Sequence, residues 1–407
     1  MSITLTEKVN ELIKKYCNGK PELTLSIGVL ENGEEGYFTY NGNGALTSSD
    51  DNGKKLYEIG SVTKTFTALL LSKMVYDGKT DFKASIGPYI GERNQKKYYP
   101  TLERLACHTS GLGRAPLPEM KLIFRAFFGK GRLSNIYSGF DGKTMEKKLR
   151  ETTLVPTDYP TQYTHYGFGA LGYVLGKIDG RGYKAAVTDL IRNDLRLENT
   201  YFGMPAGACD GGYSSKNEKI PCWEWNENDA MAGSDCLTSC TYDLIQYAKL
   251  GMSGKNSWFN VCLESHSEYD DTDDFGYGFI VRATNGLVWH NGSTGCFAAF
   301  FGFDPNTGRA VAVLSDYEHI KGEFSVDKIG FEIVTPTPVN EKKKASDDEE
   351  YDDYPEIDNE DRDDEEDDYY DGYTPYIPDK AEAEAKKSEE DEKSESNKDA
   401  SDDKQQD

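Results

Sequence analysis

The 407-residue chain is poor in histidine, with five, and it contains no H-E-x-x-H, H-x-H-x-D or C-x-x-C pattern. Without those spacings a zinc site has no recognisable ligand set, so neither a metal nor another cofactor is expected. Its eight cysteines (Cys17, Cys107, Cys209, Cys222, Cys236, Cys240, Cys262, Cys296) are scattered. They read as separate thiols in a reducing compartment rather than a disulfide framework. No apolar run reaches the roughly 18 residues of a membrane span, and the N-terminus "MSITLTEKVNELIKKYCNGK" lacks the unbroken apolar stretch of a signal peptide. The expectation is a soluble, cytoplasmic protein, with an exported mature form as the alternative.

A basic surface is also missing. The formal charge is −25, and residues 341–407 hold 30 Asp and Glu against 10 Lys and Arg, so most of the excess resides there. Neither part offers the positive surface that nucleic-acid binding needs. The division places one folded domain at residues 1–339 and an acidic tail at 340–407. The tail has too few apolar residues to offset the entropy of ordering and is expected to be disordered. Six tyrosines set among acids in its first half (Tyr351 to Tyr376) leave room for a protein partner there.

Within the domain, hydrophobic periodicity predicts a helix near residues 5–16, then strands "LTLSIGVL" and "EGYFTY" about the turn "ENGE". A second helix is predicted from Ser61 to about Asp77, ended by Gly78. Residues 82–250 show short helical patterns joined by loops rich in Gly, Pro and Ser. The strand patterns "FGYGFIVRA", "GLVWHNG", "FAAFFGFDP" and "RAVAVLSD" follow, and then a last helix, "SVDKIGFEIV". The fold class is therefore α/β of the α+β type: an antiparallel sheet flanked by helices, with an inserted, mainly helical block.

The stretch "YEIGSVTKTFTALLL" places Ser61 and Lys64 one helical turn apart. A serine hydroxyl is a weak nucleophile until a neighbour takes its proton, and an amine one turn away can do so if burial disfavours its charge. Phe66, Leu69 and Leu70 are the apolar wall that would achieve this. The spacing alone decides little, because Ser325 and Lys328 in "SVDK" share it.

The surrounding segments are more specific. "YEIGSVTKTFTALLL", "PTLERLACHTSGL", "YPTQYTHYGFGALGYVLGKIDGRGY", "LRLENTYFG", "MAGSDCLTSCTYDLIQYAKLG" and "WHNGSTGCFAAFFGFDP" occur in this order. Over residues 5 to 335 the chain resembles the serine β-lactamase and penicillin-binding-protein family. The likeness is to the branch of class C β-lactamases, D-alanyl-D-alanine carboxypeptidases and related esterases. That resemblance makes Ser61 the acylated nucleophile and Lys64 its partner. It makes Tyr163 the phenol that shares a proton with the lysine and protonates the leaving group. His165 falls where the family carries asparagine, and His290, Asn291 and Gly292 fall on the third motif. Ser293 supplies a backbone N–H that would form an oxyanion hole with that of Ser61, and Gly292 would leave room for substrate to dock along the strand.

Two departures shape the expected function. His165 has a different shape and pH response from asparagine, and His290 stands where β-lactamases hold a permanent lysine cation. The resemblance therefore implies a serine hydrolase of peptidase or esterase kind. Its substrate would be a small molecule or peptide with an amide, ester or β-lactam carbonyl. A true β-lactamase, or a weakly catalytic binding protein whose tail recruits a partner, are the alternatives. His108 in "HTSGL" is expected to fix its loop by hydrogen bonds rather than to move protons, and Trp223 and Trp225 to line a cleft mouth or simply pack.

Overall fold

The computed structural model describes residues 3–47, 52–92, 94, 96–114, 135–319 and 324–335. The acidic segment 340–407 lies outside the described residues. The principal sheet has nine strands, all neighbouring pairs antiparallel. From one edge to the other they are Leu46–Thr47, Glu34–Asn41, Thr24–Glu31, Arg309–Ser315, Ala298–Asp304, Val288–Ser293, Ile280–Arg282, Asp273–Phe275 and Ser267–Glu268. Chain-distant strands meet where Ile27 opposes Val313, and the adjoining hairpin sets Phe301 opposite Ala312. Ala298–Asp304 is buried on both faces, which explains its unbroken apolar run. The first hairpin turns through Asn32 and Gly33, both with positive φ (52° and 80°), the geometry that matches the twist of two-residue hairpins.

Terminal helices cover one face of the sheet. Thr6 caps Glu7–Cys17 by accepting from the Val9 N–H, and Ser325 caps Val326–Val334 by accepting from the Lys328 N–H. The second S-x-x-K is thus a helix cap, in which serine bonds the backbone of that lysine. The helices Thr63–Tyr76 and Thr241–Met252 lie on the other side, in a separate apolar cluster. Thr63–Tyr76 is buried nearly all round, with Phe66 stacked on Tyr247 at 4.4 Å between centroids. A helix this enclosed needs no polar face, and its few polar residues must find partners inside.

Two local expectations needed correction. "FGYGFIVRA" is not one strand: Phe275 ends one and Ile280 starts the next, joined by a turn in which Gly278 has φ +69° and the Gly276 N–H donates to the Phe279 carbonyl. Ser61 does not begin the α-helix; it sits in a single 3-10 turn, Gly60–Val62, that precedes it. The inserted block carries the helices Gly142–Glu151, His165–Asp179 and Tyr183–Asp189, but more of its described residues lie in turns, loops and short strands than in helix. No helix among the described residues is long and apolar enough to cross a membrane.

Candidate active site

Lys64 lies on the first turn of the enclosed helix and is fully buried. Its ammonium donates to Ser61 Oγ at 2.8 Å and to the Ser234 carbonyl at 3.1 Å, and it pairs with Asp235 Oδ1 at 3.4 Å. Ser61 Oγ in turn donates to Asp235 Oδ1 at 2.9 Å. Burial was expected to help drive the proton from Lys64. Instead a buried carboxylate stands beside it and favours the charged amine.

Asp235 is 2% exposed and comes from the short helix Ala232–Asp235. Burial would raise its pKa, but Lys64 foremost, then His165 and the Ser234 hydroxyl, hold it well below the ordinary carboxylate range. The residue stood inside a quoted segment, yet nothing local marked it. Apart from Ser234, its partners are far away in sequence, and no spacing rule reaches across that distance.

His165 opens the helix His165–Asp179, whose cap is Thr164: its hydroxyl accepts from the Gly167 N–H and donates to the Gly113 carbonyl. The His165 Nδ1 lies 2.9 Å from Asp235 Oδ2 and 3.3 Å from Lys64 Nζ. Burial and the Lys64 charge lower its pKa, with Asp235 acting in the opposite direction. Tyr163 is half-buried, and the Lys64 ammonium sits 5.0 Å from its ring centroid. Around that ring stand His108, His165, Phe275 and His290, with centroids 4.6 to 6.2 Å away.

The third motif divides by strand alternation. His290 is buried on the Tyr163 side, and burial followed by the Lys64 charge pushes its pKa down to about 3, so it is a neutral imidazole. Asn291 faces the other way, donating to Asp327 Oδ2 at 3.2 Å, so its side chain does not join the cluster. Gly292 is required by backbone packing rather than by room for substrate. A Cβ there would lie 2.1 Å from the Ile59 carbonyl oxygen and 2.8 Å from the Ser61 nitrogen. The approach is reciprocal: Gly60 has φ +47°, and a Cβ on it would fall 2.6 Å from the Ser293 nitrogen. The backbone nitrogens of Ser61 and Ser293 are thereby held on facing segments. Gly292→Ala is expected to cost about 1–3 kcal/mol, because a collision with backbone cannot be relieved by a rotamer change. Urea unfolding measures it, and an unchanged midpoint would refute the close approach.

His108 fixes the neighbouring loop. It has φ +61°, its Nδ1 accepts from the Thr164 N–H at 3.1 Å, and its carbonyl accepts from the Gln162 N–H at 2.8 Å. Trp223 lies beside Tyr137, ring centroids 6.3 Å apart and edge-on, and its backbone N–H donates to Glu58 Oε1 at 2.5 Å.

Glu58 is a second buried carboxyl that the sequence did not flag. It sits three residues before Ser61 and also accepts from the Thr294 hydroxyl at 2.6 Å. Burial outweighs these hydrogen bonds and raises its pKa to about 8. Folding therefore favours protonated Glu58, and its contribution, full below the unfolded value near 4.5, is lost as pH rises toward 8. Each tenfold change in proton affinity between the folded and unfolded chain corresponds to about 1.4 kcal/mol. Glu58→Gln is expected to flatten the fall in stability between pH 5 and 8, and denaturant titrations at both pH values test it. An identical fall in both proteins would count against the assignment.

A family model described as Beta-lactamase matches residues 9–329. A "Beta-lactamase" of Providencia stuartii is 25% identical over 282 residues, covering 66% of this chain and 66%, just under two thirds, of its own length. A solved "class C beta-lactamase" aligns with a TM-score of 0.63 at 16% identity, over 84% of this chain and all of that one. A "Beta-Lactamase/D-Alanine Carboxypeptidase" from Pseudomonas syringae aligns with a TM-score of 0.63 at 17% identity, over 81% of this chain and all of that one. At such identities the two structural matches establish the fold. With the family model spanning most of the chain, and a buried Ser61–Lys64 pair set against the strand that carries the third motif, this chain belongs to the beta-lactamase family.

Proposed function

We propose that this protein is a serine hydrolase that forms an acyl-enzyme on Ser61, acting as a peptidase or esterase on a small amide or ester. The observation that carries the reading is the 2.8 Å contact between Lys64 Nζ and Ser61 Oγ, made where the backbone at Gly60–Ser61 packs closely on that at Gly292–Ser293. Ser61 Oγ attacks the carbonyl carbon, the two N–H groups receive the charge that develops on its oxygen, and water later releases the acid. Lys64 and Tyr163 take over the Ser61 hydroxyl proton: as Tyr163 delivers its proton to the leaving group, Lys64, which rests against its ring, replaces that proton and takes the one from Ser61 Oγ.

The substrate-binding roles belong to His165, His290 and the backbone of Asn291, Gly292 and Ser293. A neutral His290 offers no fixed cation to a substrate carboxylate, which supports peptidase or esterase use over penicillin hydrolysis. A panel of benzylpenicillin, a chromogenic cephalosporin, a D-alanyl-D-alanine peptide and a short-chain aryl ester, read together with intact-protein mass, tests the proposal. Turnover of the ester or peptide with a transient mass increase on Ser61 is expected. Rapid cephalosporin turnover would instead make it a β-lactamase, and no labelling by any probe would overturn the acyl-enzyme.

A further inference from the structure

The proton inventory around Asp235 is over-determined in one direction. Lys64 has three N–H bonds, and Ser61 Oγ, the Ser234 carbonyl and Asp235 Oδ1 are three acceptors within 3.4 Å of it. Asp235 Oδ2 accepts from the Ser234 hydroxyl at 2.6 Å and lies 2.9 Å from His165 Nδ1. An ionised carboxylate can only accept, so the short contact fixes the proton on His165 Nδ1. The lone pair is then on Nε2. Nδ1 is turned toward Asp235 and Lys64, which are 2% and 0% exposed, so the 32% exposure of the imidazole belongs to the opposite edge, where Nε2 lies.

We propose that Asp235 and His165 form a carboxylate–imidazole pair joined to the Ser61–Lys64 centre, in which Asp235 is a positioning residue and His165 Nε2 accepts the proton of the water that releases the acyl group. The proposal rests on the reading that Ser61 is acylated. The step balances without any further reactant. Water oxygen bonds to the acyl carbon as Nε2 takes one of its protons, the bond from that carbon to Ser61 Oγ breaks, and Oγ takes a proton from Lys64. The imidazolium then loses the Nε2 proton to solvent and the Lys64 amine regains one as the acid leaves, restoring the resting state with the proton on Nδ1.

The charged and titratable groups packed around His165 come from several elements: Lys64 on the enclosed helix, Asp235, Tyr163 and Tyr137, with His108 and His290 beyond Tyr163. His108 and His290 are neutral, both with pKa values lowered by burial and by Lys64. His165, with its pKa below the usual 6.5, is the group left to govern the acid side of deacylation. Protonation removes the Nε2 lone pair, so deacylation falls as pH drops through a midpoint below 6.5.

Two measurements on the full chain test the pair. Nitrogen NMR of labelled histidine, with His165→Asn to assign the signal, is expected to show the Nδ1–H tautomer at pH 8 and its loss in Asp235→Asn. An Nε2–H tautomer in the native protein overturns the pair whether or not any substrate is turned over. With an aryl ester that acylates Ser61, His165→Asn is expected to slow release of the acyl group about 10²-fold, and by more than it slows labelling, so that the acyl-enzyme accumulates in the mass spectrum and the acid limb disappears. Equal deacylation rates and an unchanged acid limb would refute the role of Nε2. Failure of the native protein to label at all strikes the acyl-enzyme itself and leaves the tautomer result standing.

Discussion

Ser61→Ala is expected to lower hydrolysis of whichever ester or peptide is turned over by roughly 10⁴ to 10⁶-fold, the scale on which removal of a nucleophile acts in serine hydrolases. The change deletes one oxygen. Lys64 loses its 2.8 Å acceptor and Asp235 loses the 2.9 Å donor, but the ion pair between them and the hydrogen bond from His165 Nδ1 to Asp235 remain. The cost in stability should stay near 1–2 kcal/mol, so lost activity cannot be ascribed to unfolding. The backbone N–H groups proposed to hold the oxyanion, those of Ser61 and Ser293, survive the change, so a small residual rate is expected from transition-state binding alone. Steady-state assays with circular dichroism as a folding control make the measurement. A folded variant within tenfold of the native rate would remove Ser61 from the chemistry.

Asp235→Ala is expected to be the most destabilising single change at the site, at about 3–5 kcal/mol, because it leaves an ammonium at 0% exposure without its counter-charge. The Ser234 carbonyl and Ser61 Oγ would remain as neutral acceptors for Lys64. They cannot replace a carboxylate, so Lys64 should shed its proton more readily in the variant. Asp235→Asn keeps the shape and some of the hydrogen bonds, and should fall between the two. Guanidinium unfolding of the three proteins at pH 7 gives the comparison. A loss below about 1 kcal/mol in Asp235→Ala would mean that the pair is not buried as described.

The readable part of this protein was whatever is local or repeats at short period. The Glu7–Cys17 helix, the hairpin about Asn32 and Gly33, the strands of residues 288–315 and the order of the quoted segments are all encoded in neighbouring residues. The Ser61 and Lys64 spacing is of this kind too, since one helical turn is the same turn wherever it occurs. That is also why it could not be told from Ser325 and Lys328, whose difference lies in what surrounds them: the second serine caps an α-helix, while the first sits in a 3-10 turn against Gly292.

The sequence by itself determined the family, the fold class and which serine and lysine stand one turn apart, because those depend on hydrophobic period and motif order. The tertiary structure alone decided their electrostatic state. Asp235 reaches Lys64 across 171 residues, and the pleat of the strand Val288–Ser293 turns Asn291 away while burying His290 beside Tyr163. A charge inside a protein is set by the few groups within about 4 Å of it, and folding draws those groups from unrelated parts of the chain.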